Sequence, residues 1–162
     1  MESQQYAEIE MRSLSGSWYN KKGSKLELIV HQDGTIEGEY HTAVGCDQNV
    51  FHLSGRADTK DYAGSRSIGF VVCWNNARVN LHSVTVWSGQ YHLINGEETL
   101  SMTWLLTKES APEDAWASTH IGSDVFSRTP PQVQSVMPEA EAHPYAPCVE
   151  EAELDLEAIT GV

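Results

Sequence analysis

Ser83, Thr85 and Trp87 recur at alternate positions of the stretch HSVTVWSGQY, His82 to Tyr91, with Val84 and Val86 between them. Alternation of this kind reads as a β-strand, in which successive side chains point to opposite faces. An ordinary half-buried strand would turn the valines to the core and leave two hydroxyls and an indole in water. The opposite assignment gives those three side chains to a cavity that needs hydroxyls and an aromatic wall together, and the valines to another protein surface. His82, Ser83 and Asp124 also supply the residue types of a nucleophilic triad. Their placement argues against acyl transfer, because neighbours on a strand face opposite sides and His82 would lie outside while Ser83 lies inside.

Other residues taken singly carry less. Asn20 and Ser24 flank Lys21 to Gly23, and turn chemistry alone accounts for them. Tryptophans at strand positions are usually core, and Trp18, after Gly16-Ser17, is expected to plug one end of the structure. The histidines at 31, 41, 52, 82, 92, 120 and 143 are scattered with no helical i, i+4 pair, so no metal site is expected. Cys46, Cys73 and Cys148 cannot all pair within one chain and lack the spacing of a zinc or dithiol motif, which favours a reducing compartment. Gly55-Arg56-Ala57-Asp58 reads as a turn.

The elements that must position these side chains are short and alternating from Leu14 to Thr129. Strands are expected at Ser17–Asn20, Lys25–Val30, Thr35–Ala43, Val50–Asp58, Arg66–Trp74, Val79–Trp87, Thr99–Thr107 and Thr119–Arg128. Asp33-Gly34 and Asn95-Gly96 fall where tight turns would join neighbours. Successive hairpins of this number imply an all-β fold, an eight-stranded antiparallel up-and-down barrel. One interruption, SAPEDAW, has Ser110 placed to cap, Pro112 in the first turn and Glu113 three residues after the serine, so a single helical turn carrying Trp116 is expected.

A chain of 162 residues with 40% hydrophobic content is enough for one domain with a full core. The formal net charge of −13 argues against nucleic acid or an anionic membrane as partner. Beyond Pro130 there is no Lys or Arg, while Glu139, Glu141, Glu150, Glu151, Glu153, Asp155 and Glu157 supply about half of that charge. The segment 130–162 opens on a Pro-Pro pair and is read as a flexible, acidic extension that cannot join the sheet. Residues 1–13 are read as an N-terminal arm and 14–129 as the barrel. The N-terminus has no basic stretch followed by an apolar one, so an intracellular location is expected unless a signal has been removed.

The motifs GSWYNKKGS, EYHTAVG, CWNN, HSVTVWSGQY, TWLLT, AWAST and GSDVF follow one another at spacings that closely resemble those of the avidin and streptavidin family of biotin-binding proteins. The resemblance covers residues 14 to 129. It implies a non-enzymatic barrel with no cofactor, whose ligand is biotin. Asn20, Ser24 and Tyr40 match the family's donors to the ureido oxygen, and Asp124 and Thr42 match the acceptors of its two N–H groups. Thr85 matches the hydroxyl near the thioether sulfur, and Ser83 one that holds the valeryl carboxylate. Val44 and Cys46 fall in the loop that meets the same carboxylate; Cys46 stands where the bacterial relative has asparagine. Trp74, Trp87 and Trp104 match the apolar walls, and Trp116 the indole that caps a neighbouring subunit's pocket, which implies a homotetramer. Phe70 replaces a tryptophan at the closed end. Two other readings remain: a lipocalin-like carrier of apolar ligands, which shares Gly-x-Trp near the first strand, and an interaction protein acting through its acidic tail.

Overall fold

The computed structural model describes residues 14–43 and 50–131. Eight strands form a closed antiparallel barrel in chain order: β1 (Gly16–Asn20), β2 (Lys25–Val30), β3 (Thr35–His41), β4 (Val50–Ala57), β5 (Ser65–Asn75), β6 (Asn80–Ile94), β7 (Glu97–Lys108) and β8 (Thr119–Ser127). The N-terminal arm, 1–13, lies outside the described residues, as does the acidic extension beyond Pro131. Alternation does the building: on β5, Arg66, Ile68, Phe70, Val72 and Trp74 face inward while their neighbours face out. The inward residues of all eight strands form one core, with Trp18, Leu26, Leu53, Trp74, Leu100 and Phe126 fully buried.

Turn chemistry sets the register. Asn95 and Gly96 both have positive φ, 53° and 82°, the conformation that a two-residue hairpin turn demands. β6 and β7 therefore pair without interruption from Ser83↔Lys108 to Ile94↔Glu97, well past Trp87, where the sequence pattern ends β6. Between β2 and β3, Asp33 accepts from the Thr35 backbone N–H and hydroxyl, both at 2.9 Å. Gly34 is required there, because a Cβ would lie 2.3 Å from the Ala57 carbonyl oxygen.

Two expectations are corrected. Gly55 to Ala57 is the end of β4, within the expected strand Val50–Asp58, and not a turn; Arg56 pairs with Thr35 and Gly69 in the ladders on either side and donates to the Asp33 carbonyl. The helical segment is a 3₁₀ turn, Pro112–Ala117, with Ala111 rather than Ser110 at its N-cap and no side-chain cap. Pro112 explains this: the residue before proline is pushed to extended backbone, here φ −61° and ψ 150°, and proline has no N–H to cap. The Ser110 hydroxyl donates to the Ala111 carbonyl instead.

Closure is the thinnest part of the sheet, since β1 and β8 meet only at Tyr19↔Ser127 and Asn20↔Phe126. Arg128 reinforces that seam. Its guanidinium lies 3.7 Å above the Trp18 ring, donates to the Ser15 and Ser17 carbonyls, and pairs with Glu98 on β7 at 2.9 Å. Trp18 is buried, donates to the Leu14 carbonyl at 3.0 Å and meets Tyr91 edge-on, filling one end of the barrel as its position implies. Arg128→Ala is expected to lower the unfolding free energy by about 2 kcal/mol, from the lost cation–π contact and charged hydrogen bonds. Urea unfolding measures it, and a change under about 0.5 kcal/mol would show that the seam holds without the arginine.

Candidate functional site

The interior residues singled out by the sequence converge. Asn20 ends β1, Ser24 precedes β2, Tyr40 lies on β3, Trp74 on β5, Thr85 and Trp87 on β6, Trp104 on β7 and Asp124 on β8, and all eight are buried. The wide turn between β1 and β2 is organised by Asn20 itself: its Oδ1 accepts from the backbone N–H of Lys22 at 3.1 Å and of Ser24 at 2.9 Å. That leaves the amide nitrogen, with two N–H groups, for the interior, where it helps to lower the pKa of the Asp124 carboxyl. The Ser24 side chain comes close enough to the Tyr40 phenol to lower its pKa, against the larger effect of burial.

The aromatic residues form a continuous wall. Tyr40 stacks on Trp87 at 5.4 Å and meets Trp74 edge-on at 5.3 Å, while Trp74 and Trp87 lie 6.1 Å apart. Phe70 stacks on Trp87 at 5.0 Å, so the shorter ring keeps the packing role expected of that position. Trp74 donates to the Thr85 hydroxyl at 2.7 Å, and Trp87 makes a long 3.5 Å contact with Asp124. Trp104 stands directly across from Trp87 in the β6–β7 ladder.

Electrostatics separate two groups. Burial raises the pKa of Asp124 above the usual carboxylate value, opposed by the Trp87 N–H, the Lys22 charge and the Asn20 amide. Burial likewise pushes the Tyr40 phenol up, so it stays protonated and able to donate. Setting aside His41 Nε2 on the outer wall, which lies 3.2 Å from Glu39, two buried polar atoms, Ser83 Oγ and Trp104 Nε1, have no hydrogen-bond partner among the described residues. Buried polar groups are normally paired, so both mark positions at which a ligand's polar atoms would be welcome.

Not every expected residue joins this group. Thr42 lies just beyond β3, half-buried. Trp116, on the 3₁₀ turn, is 87% exposed and stands apart from its own chain's interior. Val44 and Cys46 lie outside the described residues. His82 is exposed, its Nδ1 is 3.1 Å from Glu109, and Ser83 turns inward, so the triad arrangement is not formed. On the outer wall the structure does bring one histidine to two carboxylates, Glu27, Glu39 and His41, with ligand-type atoms within 4.8 Å. Lys25 pairs with Glu27 there, making this an outer-face ion-pair cluster remote from the interior.

Sequence reasoning missed Lys22, Phe51 and Arg66. Lys22 is part of the Lys-Lys-Gly turn, a signal that could have placed a positive charge at the barrel mouth near Asp124. Phe51 packs edge-on against Trp74 at 5.1 Å, and alternation on β4 would have put it inside. Arg66 is a buried charge on the inward face of β5, which its residue type gave no reason to expect.

The profile of the avidin family matches residues 8–129. Fibropellin-1 of Strongylocentrotus purpuratus is 30% identical over 140 residues, which are 83% of this chain and 12% of that protein. Afifavidin of Afifella pfennigii is 28% identical over 118 residues, 71% of this chain and 69% of its own. Hoefavidin of Hoeflea phototrophica is 29% identical over 108 residues, 60% and 63% of the two chains.

The raised pKa of Asp124 has a consequence for stability. A carboxyl whose folded pKa lies above its unfolded one makes the folded state bind more protons, so stability falls as pH rises through that window. Asp124→Asn, which keeps an acceptor for Trp87, is expected to stabilise the ligand-free protein at pH about 7, with the difference from the parent shrinking as the pH falls through the carboxyl's titration. Urea unfolding at several pH values reads this directly; a destabilised variant at neutral pH would show that burial of the charge is fully compensated.

Proposed function

The chain belongs to the avidin family, and on that premise we propose that the barrel interior binds biotin non-covalently and with high affinity, and that the protein sequesters it unchanged. The observation that carries this reading is the joining of Asn20, Ser24, Tyr40 and Asp124 into one buried polar group walled by Trp74, Trp87 and Trp104. The free amide N–H of Asn20 and the hydroxyls of Ser24 and Tyr40 donate to the ureido oxygen, stabilising negative charge on it as an oxyanion hole does. Asp124 accepts one ureido N–H from the other side and Thr42 the second. Thr85, whose oxygen already accepts from Trp74, keeps its own O–H for the thioether. Ser83, with Val44 and Cys46, meets the valeryl carboxylate. An apolar carrier would want a lumen without Asp124 and Asn20, so the lining disfavours that reading.

Affinity in this scheme comes from preorganisation, because the donors and indoles are in place before association and little ordering cost remains. Calorimetric titration is expected to give one biotin site per chain. Asp124→Ala is expected to weaken binding by about 2 kcal/mol, roughly 30-fold, the cost of a charged hydrogen bond and its stranded partner. An affinity within about twofold of the parent would remove Asp124 from the site.

The same reading extends to assembly as a homotetramer in which Trp116 caps a neighbour's pocket. In its support, Val86, Leu105 and Ile121 stand side by side across β6, β7 and β8 on the outer face, all exposed in a single chain. A neighbouring copy would cover that row and receive the exposed Trp116. Trp116→Ala is expected to speed biotin dissociation by roughly tenfold or more, as truncation of a tryptophan anchor does, with the mass by light scattering unchanged. Unaltered dissociation would place Trp116 outside the pocket of any chain.

A further inference from the structure

We propose that Gly122 is a positioning residue for Trp104: the missing side chain on β8 lets the indole lie across the inner wall, and so fixes where the pocket's uncommitted indole N–H stands. This rests on the reading of the interior as the biotin site. Gly122 faces inward, two residues before Asp124 and directly opposite Trp104 in the β7–β8 ladder. A Cβ built there would lie 2.1 Å from Trp104 Cζ2, 2.6 Å from Cε2 and 2.7 Å from Cη2. Real Cβ atoms do not approach so closely, and the atoms met belong to a rigid ring in a side chain only 4% exposed, with Trp87 on its other flank. The ring cannot step aside without disturbing the wall.

The backbone does not ask for glycine here. Gly16, Gly23, Gly34, Gly64 and Gly96 have positive φ, whereas Gly122 does not, so the residue serves space rather than conformation. What it fixes is chemically distinct. The indole N–H groups of Trp18, Trp74 and Trp87 are committed to Leu14, Thr85 and Asp124, while that of Trp104 is buried with no partner among the described residues. An indole N–H can only donate, so a bound ligand must bring an acceptor to the point that Gly122 sets.

Fluorotryptophan labelling gives each of the five indoles its own fluorine resonance, with that of Trp104 assigned by its loss in Trp104→Leu. In Gly122→Ala the Trp104 resonance is expected to move and biotin affinity to fall by roughly tenfold or more; in the Trp104→Leu background the same substitution is expected to change affinity by less than about threefold. An unmoved Trp104 resonance, or equal losses in both backgrounds, overturns the proposal. If the parent protein takes up no biotin, the ligand assignment fails, and the fluorine spectrum still decides whether Gly122 places Trp104. Should Gly122→Ala not fold, a folded spectrum in the double variant Gly122→Ala/Trp104→Leu supports the clash, and an unfolded one overturns it.

Discussion

Closure of the sheet is the constraint on which everything else depends. Asn20 is the last residue of β1 and Asp124 sits near the end of β8, with almost the whole barrel between them in sequence, yet the Asn20 amide comes close enough to the Asp124 carboxyl to lower its pKa. That proximity exists only because the first and last strands meet, and they meet at two residue pairs. A seam so short gains little from its own ladder, which is why the Arg128 guanidinium, set on the Trp18 ring and paired with Glu98, matters beyond its place in the sequence. The end of the barrel that Trp18 fills and the polar group in the interior are thus held by the same two strands.

The interior trades stability for readiness. An apolar lumen would fold more favourably than one holding Asn20, Ser24, Tyr40, Thr85 and Asp124, because each polar group leaves water on folding. The protein limits that cost by pairing most of them: Asn20 serves its own turn, Ser24 meets Tyr40, Thr85 accepts from Trp74 and Asp124 is touched from two sides. The residual cost is visible in the raised pKa of Asp124 and in the unpartnered Ser83 Oγ and Trp104 Nε1. Those desolvated or unpaired groups are where a ligand would gain most, since binding relieves a cost already present in the folded chain.

The outer wall divides by chemistry. On β2 and β3 it carries Lys25, Glu27, Glu39 and His41, an ion-pair surface suited to water. On β6 to β8 it carries Val86, Leu105 and Ile121 in one row, with Val125 further along β8. The alternation that sends Thr85 and Trp87 inward necessarily sends Val86 outward, so interior polarity and exterior hydrophobicity on these strands have one origin. A barrel whose strands turn polar side chains inward exports part of its apolar surface.

Much of this is written locally. The period of two, Asp33-Gly34 and Asn95-Gly96 are signals within a few residues of one another, and from them the number of strands, their order and the inward set follow. They determined the barrel, the inward turn of Ser83, Thr85 and Trp87, and the burial of Trp18. Boundaries were less legible: β6 runs to Ile94 because a tight turn and a long partner strand sustain it, and of the two readings of Gly55 to Ala57, strand and turn, the ladders on both sides decide for strand. Ser110 failed as a cap because the proline two residues later set the backbone first. Only the tertiary structure decided that Asn20 comes near enough to Asp124 to lower its pKa, that Arg128 seats on Trp18, and that Gly122 leaves room for the Trp104 ring. These contacts are fixed by the closing register between strands distant in sequence, and no local pattern of residues carries that register.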